Sequence, residues 1–167
     1  LMMDFTYLDQ IKTPAYVLDE AQLESNLRVF DEVRQRTGCR ILLALKAFSN
    51  FETFPLLKQY LSGTTASSLC EAKLGHEYFG KERHVYSPAF KASEFEELCT
   101  YVDTIVFNSF SQLNLFKARV PSSIDCGLRI NPEHCEVDYP MYNPCIQYSR
   151  FGVTKKEFLP DLLAGVS

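Results

Sequence analysis

One spacing governs how this chain can fold. Short apolar runs set in near Arg40, Gly63, Arg83, Thr104 and Asp125, at intervals of 23, 20, 21 and 21 residues. Helical patterns lie between them, so the sequence reads as one βα unit repeated at an almost fixed period. Alternating βα units build a parallel sheet. Two architectures compete, a doubly wound sheet and a (β/α)8 TIM-like barrel. The seven glycines form neither GxGxxG nor GxxxxGK[ST], which removes the nucleotide-binding fingerprint of the first. A short, regular period favours the barrel. A complete barrel takes about 250 residues; the 167 residues here supply about five units, with three more needed for closure.

The local signals agree with that frame. Ala15-Tyr16-Val17-Leu18 reads as a short strand after Pro14, and Asp19 as the N-cap of a helix with Gln22 at its third position. Leu23, Leu27, Phe30 and Val33 share one face of that helix, and Gly38 ends it. Ile41-Leu42-Leu43-Ala44-Leu45 is apolar at every position, the pattern of a parallel strand buried on both faces. Further strands are expected at Gly63–Ala66, His84–Tyr86, Thr104–Phe107 and Asp125–Ile130. Ser93-x-x-Glu96, Ser109-x-x-Gln112 and Thr154-x-x-Glu157 read as capping boxes, the last shortened by Pro160. Asn131 to Ser149, with three prolines and three tyrosines, has no period; in a barrel it is a long loop on the C-terminal face, where active sites lie.

Composition excludes several functions. Seventeen basic against 21 acidic residues, net −4, provide no basic stripe for nucleic acid. No stretch approaches the ~18 apolar residues of a membrane span. The segment LMMDFTYLDQIKTP lacks the basic and apolar regions of a secretory signal, so a cytoplasmic location with reduced thiols is expected. None of the six cysteines forms a CxxC pair, and most are expected to pack as small core residues. His134, Cys135 and Asp138 lie close in sequence, but their spacing matches no metal motif.

Lys46 ends the run ILLAL, which on a barrel strand is the catalytic end. An amine set against an apolar wall sheds the hydration that favours its charged form, and the free amine attacks carbonyls. The alternative is a lysine that extends to water from a strand end.

TPAYVLDEAQLESNL, LLALKAFSN, GTTASSLCEAKLG, VYSPAFK, IVFNSFSQL, GLRINPE and YNPCIQYSRFGV, in that order, resemble the alanine-racemase-like, fold-type III pyridoxal-phosphate family over nearly the whole chain. GTTASS and the YNPC stretch resemble its carboxynorspermidine decarboxylase branch. The resemblance implies a decarboxylase of carboxynorspermidine or carboxyspermidine in bacterial polyamine biosynthesis, a homodimer when complete, with pyridoxal 5'-phosphate carried on Lys46. It implies cofactor-pocket positions for Ser68, Glu71, Arg129 and Arg150. Against these stand ordinary roles: a helix-start carboxylate for Glu71, a salt bridge for Arg129 and a dimer contact for Arg150. Ornithine-type relatives carry an acid where this chain has Thr65, which speaks against ornithine as substrate.

By the same resemblance, residues 1–38 form a strand and helix leading into the barrel and residues 39–167 an incomplete cofactor-binding barrel. The phosphate loop and a C-terminal β-domain are expected outside the chain, which by itself is then expected to be inactive. A diaminopimelate decarboxylase-like enzyme and a non-catalytic pyridoxal-phosphate-binding homologue are the competing readings.

Overall fold

The structure, a computed structural model, describes residues 6 and 8–162. Five strands, β1 (Leu42–Ala44), β2 (Gly63–Ala66), β3 (Glu82–Tyr86), β4 (Thr104–Phe107) and β5 (Asp125–Leu128), form one sheet in sequential order, each neighbouring pair parallel. The strands begin at intervals of 21, 19, 22 and 21 residues, close to the expected period. Helices α1 (Glu20–Thr37), α2 (Phe54–Tyr60), α3 (Leu69–Leu74), α4 (Phe95–Cys99) and α5 (Phe110–Phe116) precede or connect them. This is part of a β/α barrel, an open sheet of five units. Beyond β5, Ile130 makes a parallel bridge to Val153, so the chain that leaves the long loop returns beside the sheet.

Burial alternates along the strands, as the pleat requires. Thr64, Ala66, Val85, Ile105 and Phe107 are buried beneath the helices. Thr65, His84, Tyr86, Thr104 and Val106, on the opposite face, are half-buried. This corrects the expectation of strands buried on both faces: Ile41 through Ala44 are only partly covered, because no described element packs on the inner face. The core concentrates around α4, α5 and β4. Phe95 stacks on Phe116 with ring centroids 4.2 Å apart, and Phe90 stands edge-on to Phe95, Phe107 and Phe116. Arg119 lies over Phe95 and Phe116 at 5.4 and 5.2 Å and grips Glu96 through Nε and Nη2 at 2.5 and 2.6 Å.

The helix ends follow their local signals unevenly. Asp19 Oδ1 accepts the Gln22 N–H at 2.9 Å, and Gly38, at φ +70°, donates its N–H to the Arg34 carbonyl, as expected. The face expected of α1 is only half used: Leu27 is buried, but Phe30 and Val33 are 47% and 41% exposed. Ala15–Leu18 is not a strand, and Tyr16 projects fully into solvent, because no described strand lies beside it to accept its hydrogen bonds. Ser93 does not cap α4; the chain turns into the helix one residue later, with Glu94 as N-cap and its carboxylate on Lys91 Nζ at 2.7 Å. Glu157 accepts from the Thr154 N–H and hydroxyl, yet a turn rather than an α-helix follows.

The cysteines also depart from expectation. Only Cys99 is buried; Cys126, Cys135 and Cys145 are intermediate, and Cys39 and Cys70 are exposed. Burial pushes the thiols of Cys99 and Cys126 up from the ordinary range. Iodoacetamide at mildly alkaline pH should therefore modify Cys39 and Cys70 first and Cys99 and Cys126 last, as read by mass spectrometry of timed digests; early labelling of Cys99 would contradict this packing. A second expectation concerns acid. The hydrogen bond from Arg119 holds the Glu96 carboxyl below the usual carboxylate range. A group depressed in the folded state stabilises fully above its unfolded value and loses that contribution as pH falls through the folded value. The stability gap between wild type and Glu96→Gln, measured by urea denaturation, should therefore be widest near neutrality and close in acid.

Candidate functional site

Parallel pairing brings the C-terminal ends of all five strands to one rim of the sheet. Lys46 sits there, exposed, in the turn that closes β1 through the Ala47 and Phe48 N–H groups to the Ala44 carbonyl. It lines a cleft of about 250 Å³ with Ala44, Thr65, Ala66, Ser67 and Tyr86. The apolar wall expected around the amine is therefore mixed: alanines below, hydroxyls and a phenol beside it.

The β2–α3 junction supplies one side of that cleft. Ser68 is the N-cap of α3, its Oγ accepting the Glu71 N–H at 3.3 Å. Glu71 Oε2 reaches back to accept the Ser67 N–H at 2.7 Å and the Ser67 hydroxyl at 2.9 Å. Ser68 and Glu71 thus serve the local fold first, and they fix Ser67, the residue that does line the cleft. The β4–α5 junction repeats the device. Ser109 Oγ accepts the Gln112 N–H at 3.1 Å, and Gln112 Oε1 accepts the Asn108 N–H at 2.7 Å. Buried Gln112 also donates through Nε2 to the carbonyls of Ser87 and Pro88, tying in the exit of β3.

Arg129 follows β5. Its guanidinium carbon lies 4.7 Å from the centroids of both Tyr86 and Phe151. The ordinary salt bridge is not what holds it: among the described residues no carboxylate pairs with Arg129. Arg150 is exposed and lies over the Phe151 ring at 4.8 Å. Gly152 makes this approach possible. It has φ +78°, and a Cβ there would stand 3.0 Å from Asn131 N and 3.1 Å from Arg129 Cγ.

The sequence-expected residues do not form one cluster, and among the described residues Lys46 and Arg129 are linked only through a residue the sequence did not single out. Lys46 and Ser67 share the cleft with Tyr86, and Tyr86 in turn stacks on Arg129. Tyr86, Ser67 and Asn108 were not singled out from sequence. Each has a legible signal in retrospect: Tyr86 ends a strand run, and Ser67 and Asn108 immediately precede helix caps. The long loop is irregular apart from one 3-10 turn, Pro140–Tyr142, and exposes Tyr139, Met141, Tyr142 and Tyr148. His134, Cys135 and Asp138 do not converge; no group of three metal-ligating side chains exists among the described residues. Among those residues, too, no helix is long and apolar enough to cross a membrane.

No family model matches the chain. Among characterised proteins it is 44% identical over 142 residues to carboxynorspermidine/carboxyspermidine decarboxylase of Herminiimonas arsenicoxydans, covering 85% of this chain and 39% of the relative. It is 37% identical over 161 residues to carboxyaminopropylagmatine decarboxylase of Synechocystis, covering 96% of this chain and 42% of that protein. Among solved structures, carboxynorspermidine decarboxylase from Campylobacter jejuni, complexed with norspermidine, superposes with a TM-score of 0.79 at 37% identity, over 90% of this chain and 38% of that one. Diaminopimelate decarboxylase from Helicobacter pylori, complexed with L-lysine, superposes with a TM-score of 0.77 at 24% identity, over 92% and 41%, a likeness of fold alone. The chain spans about two fifths of the length of the relatives it matches.

Gly152→Ala tests the local geometry of the site. A side chain forced to positive φ costs about 1–2 kcal/mol, before any crowding against Asn131 and Arg129. Urea denaturation should show a loss of at least that size, and an unchanged midpoint would contradict the close approach.

Proposed function

Because this chain is homologous to the carboxynorspermidine/carboxyspermidine decarboxylases, matching part of their length at 37–44% identity, we propose that it furnishes the lysine-bearing portion of such an enzyme. The reaction is loss of the α-carboxylate from a carboxylated polyamine, carboxynorspermidine or carboxyspermidine. The observation that carries this reading is the exposed Lys46 amine at the end of β1, lining a cleft at the rim where a β/α barrel keeps its chemistry.

The residues of the cleft suit pyridoxal 5'-phosphate as cofactor. Lys46 offers an accessible primary amine for an aldehyde, and Ala44 and Ala66 leave room beside it. When bound, that group supplies an electron sink for the pair left behind as carboxylate departs. Lys46 would be the residue that holds the cofactor, through its amine. Arg129, held between two rings without a carboxylate of its own, offers a positive charge for an anionic group of cofactor or substrate. Glu71 and Ser68 keep Ser67 at the cleft wall. Arg150, exposed at the rim, is read as a second cation for the site or for a partner subunit of a homodimer. Thr65, uncharged in the cleft, fits a substrate other than ornithine. A cytoplasmic enzyme of polyamine biosynthesis is the setting these roles imply.

Lys46→Ala in the full-length protein should abolish both covalent cofactor and CO2 release. In wild type, borohydride reduction followed by peptide mass spectrometry should leave a pyridoxyl group on the Lys46 peptide. A pyridoxyl group on another lysine would overturn the assignment. Wild-type turnover should be faster on carboxynorspermidine or carboxyspermidine than on diaminopimelate; the reverse order would overturn the substrate class.

A further inference from the structure

We infer that Asn108 is a positioning residue that sets the direction of the Arg129 guanidinium at the rim, an inference that builds on the decarboxylase reading. The Asn108 amide bonds through both its oxygen and its nitrogen. Its Oδ1 accepts the Tyr86 hydroxyl at 2.8 Å and the Gly152 N–H at 2.8 Å, and its Nδ2 donates to the Arg150 carbonyl at 2.9 Å. Two donors on the oxygen and one acceptor on the nitrogen fix which way the amide faces, since reversal would set N–H against N–H and oxygen against oxygen.

Each of these partners belongs to the clamp around Arg129. Tyr86 is one of its two rings, and Arg150 and Gly152 are the residues on either side of Phe151, the other ring. Arg129 is fixed along its backbone by the Phe107 carbonyl and the Val153 N–H, both at 2.8 Å. Its guanidinium, with no carboxylate partner among the described residues, is held by the rings alone. Among the described residues, Asn108 is thus the one side chain bonded to both walls. It is itself held at the end of β4 by Gln112, whose Oε1 accepts its N–H. Arg129 is the residue that meets the ligand, and Asn108 acts through it.

The test uses full-length protein labelled with 13C and 15N in arginine. Protons held over aromatic faces at this distance are shifted upfield, so the Arg129 side-chain resonances, assigned by Arg129→Lys, should lie upfield of those of exposed arginines. Asn108→Ala should return them toward the exposed position and lower kcat by about tenfold or more, with a smaller change in KM. Asn108→Asp keeps the acceptor for Tyr86 and Gly152 and should restore much of both. Tyr86→Phe keeps the ring, cuts one bond and should give an intermediate shift. Wild-type Arg129 resonances and kcat in Asn108→Ala would overturn the inference. If that variant fails to fold, unchanged Arg129 resonances in Tyr86→Phe would overturn it instead. A wild-type protein without decarboxylase activity whose Arg129 resonances still respond to Asn108 would refute the functional reading and leave the positioning role standing.

Discussion

Parallel hydrogen bonding between neighbouring strands is the constraint from which the rest of this structure follows. It aligns Ala44 with Thr65, Thr65 with His84, His84 with Thr104 and Thr104 with Asp125, so all five strands finish at one rim. Chain segments that leave the strands there are brought side by side although they lie about 20 residues apart in sequence. Lys46, Ser67, Tyr86, Asn108 and Arg129 each come from a different strand end and become neighbours for that reason alone. The pleat then divides the strand side chains. One set is buried under the helices with the Phe90–Phe95–Phe107–Phe116 group, and the other faces inward, half-buried and more polar.

The rim is kept in order by helix starts used twice. At β2–α3 and again at β4–α5, a serine caps the helix while the acid or amide three residues on reaches back past it to the preceding residue. A helix start left open would carry unpaired N–H groups; here each serine satisfies one of them, and the side chain of the residue it caps fixes Ser67 or Asn108. The paired bonds of Ser68 and Glu71 thus stabilise the helix start and also hold Ser67 at the wall of the cleft. Arg129 illustrates a different solution. Its guanidinium packs against the Tyr86 and Phe151 rings instead of a carboxylate, so among the described residues its charge is not paired in a salt bridge.

Much of this was legible in the residues. The near-21-residue period, the caps at Asp19, Ser109 and Gly38, and the place of Lys46 after ILLAL all rest on local chemistry that needs no distant partner. The misreadings share one cause. Residues 15–18, the two-faced burial of residues 41–44, the outer half of the α1 face and the packing of most cysteines each required a neighbouring element to cover them fully, and no described element does. Ser93 failed for a smaller reason, a turn that starts the helix one residue late.

The sequence by itself determined the alternation of strand and helix, the resemblance to carboxynorspermidine/carboxyspermidine decarboxylases, and the place of Lys46 at a strand end, because periodicity, capping and motif are properties of residues near one another in the chain. Only the tertiary structure decided that Tyr86 links the Lys46 cleft to Arg129, that Arg129 is stacked rather than salt-bridged, and that Asn108 holds both walls around it. Those contacts join residues 22 to 44 positions apart. Nothing local specifies them; the strand register brings them together.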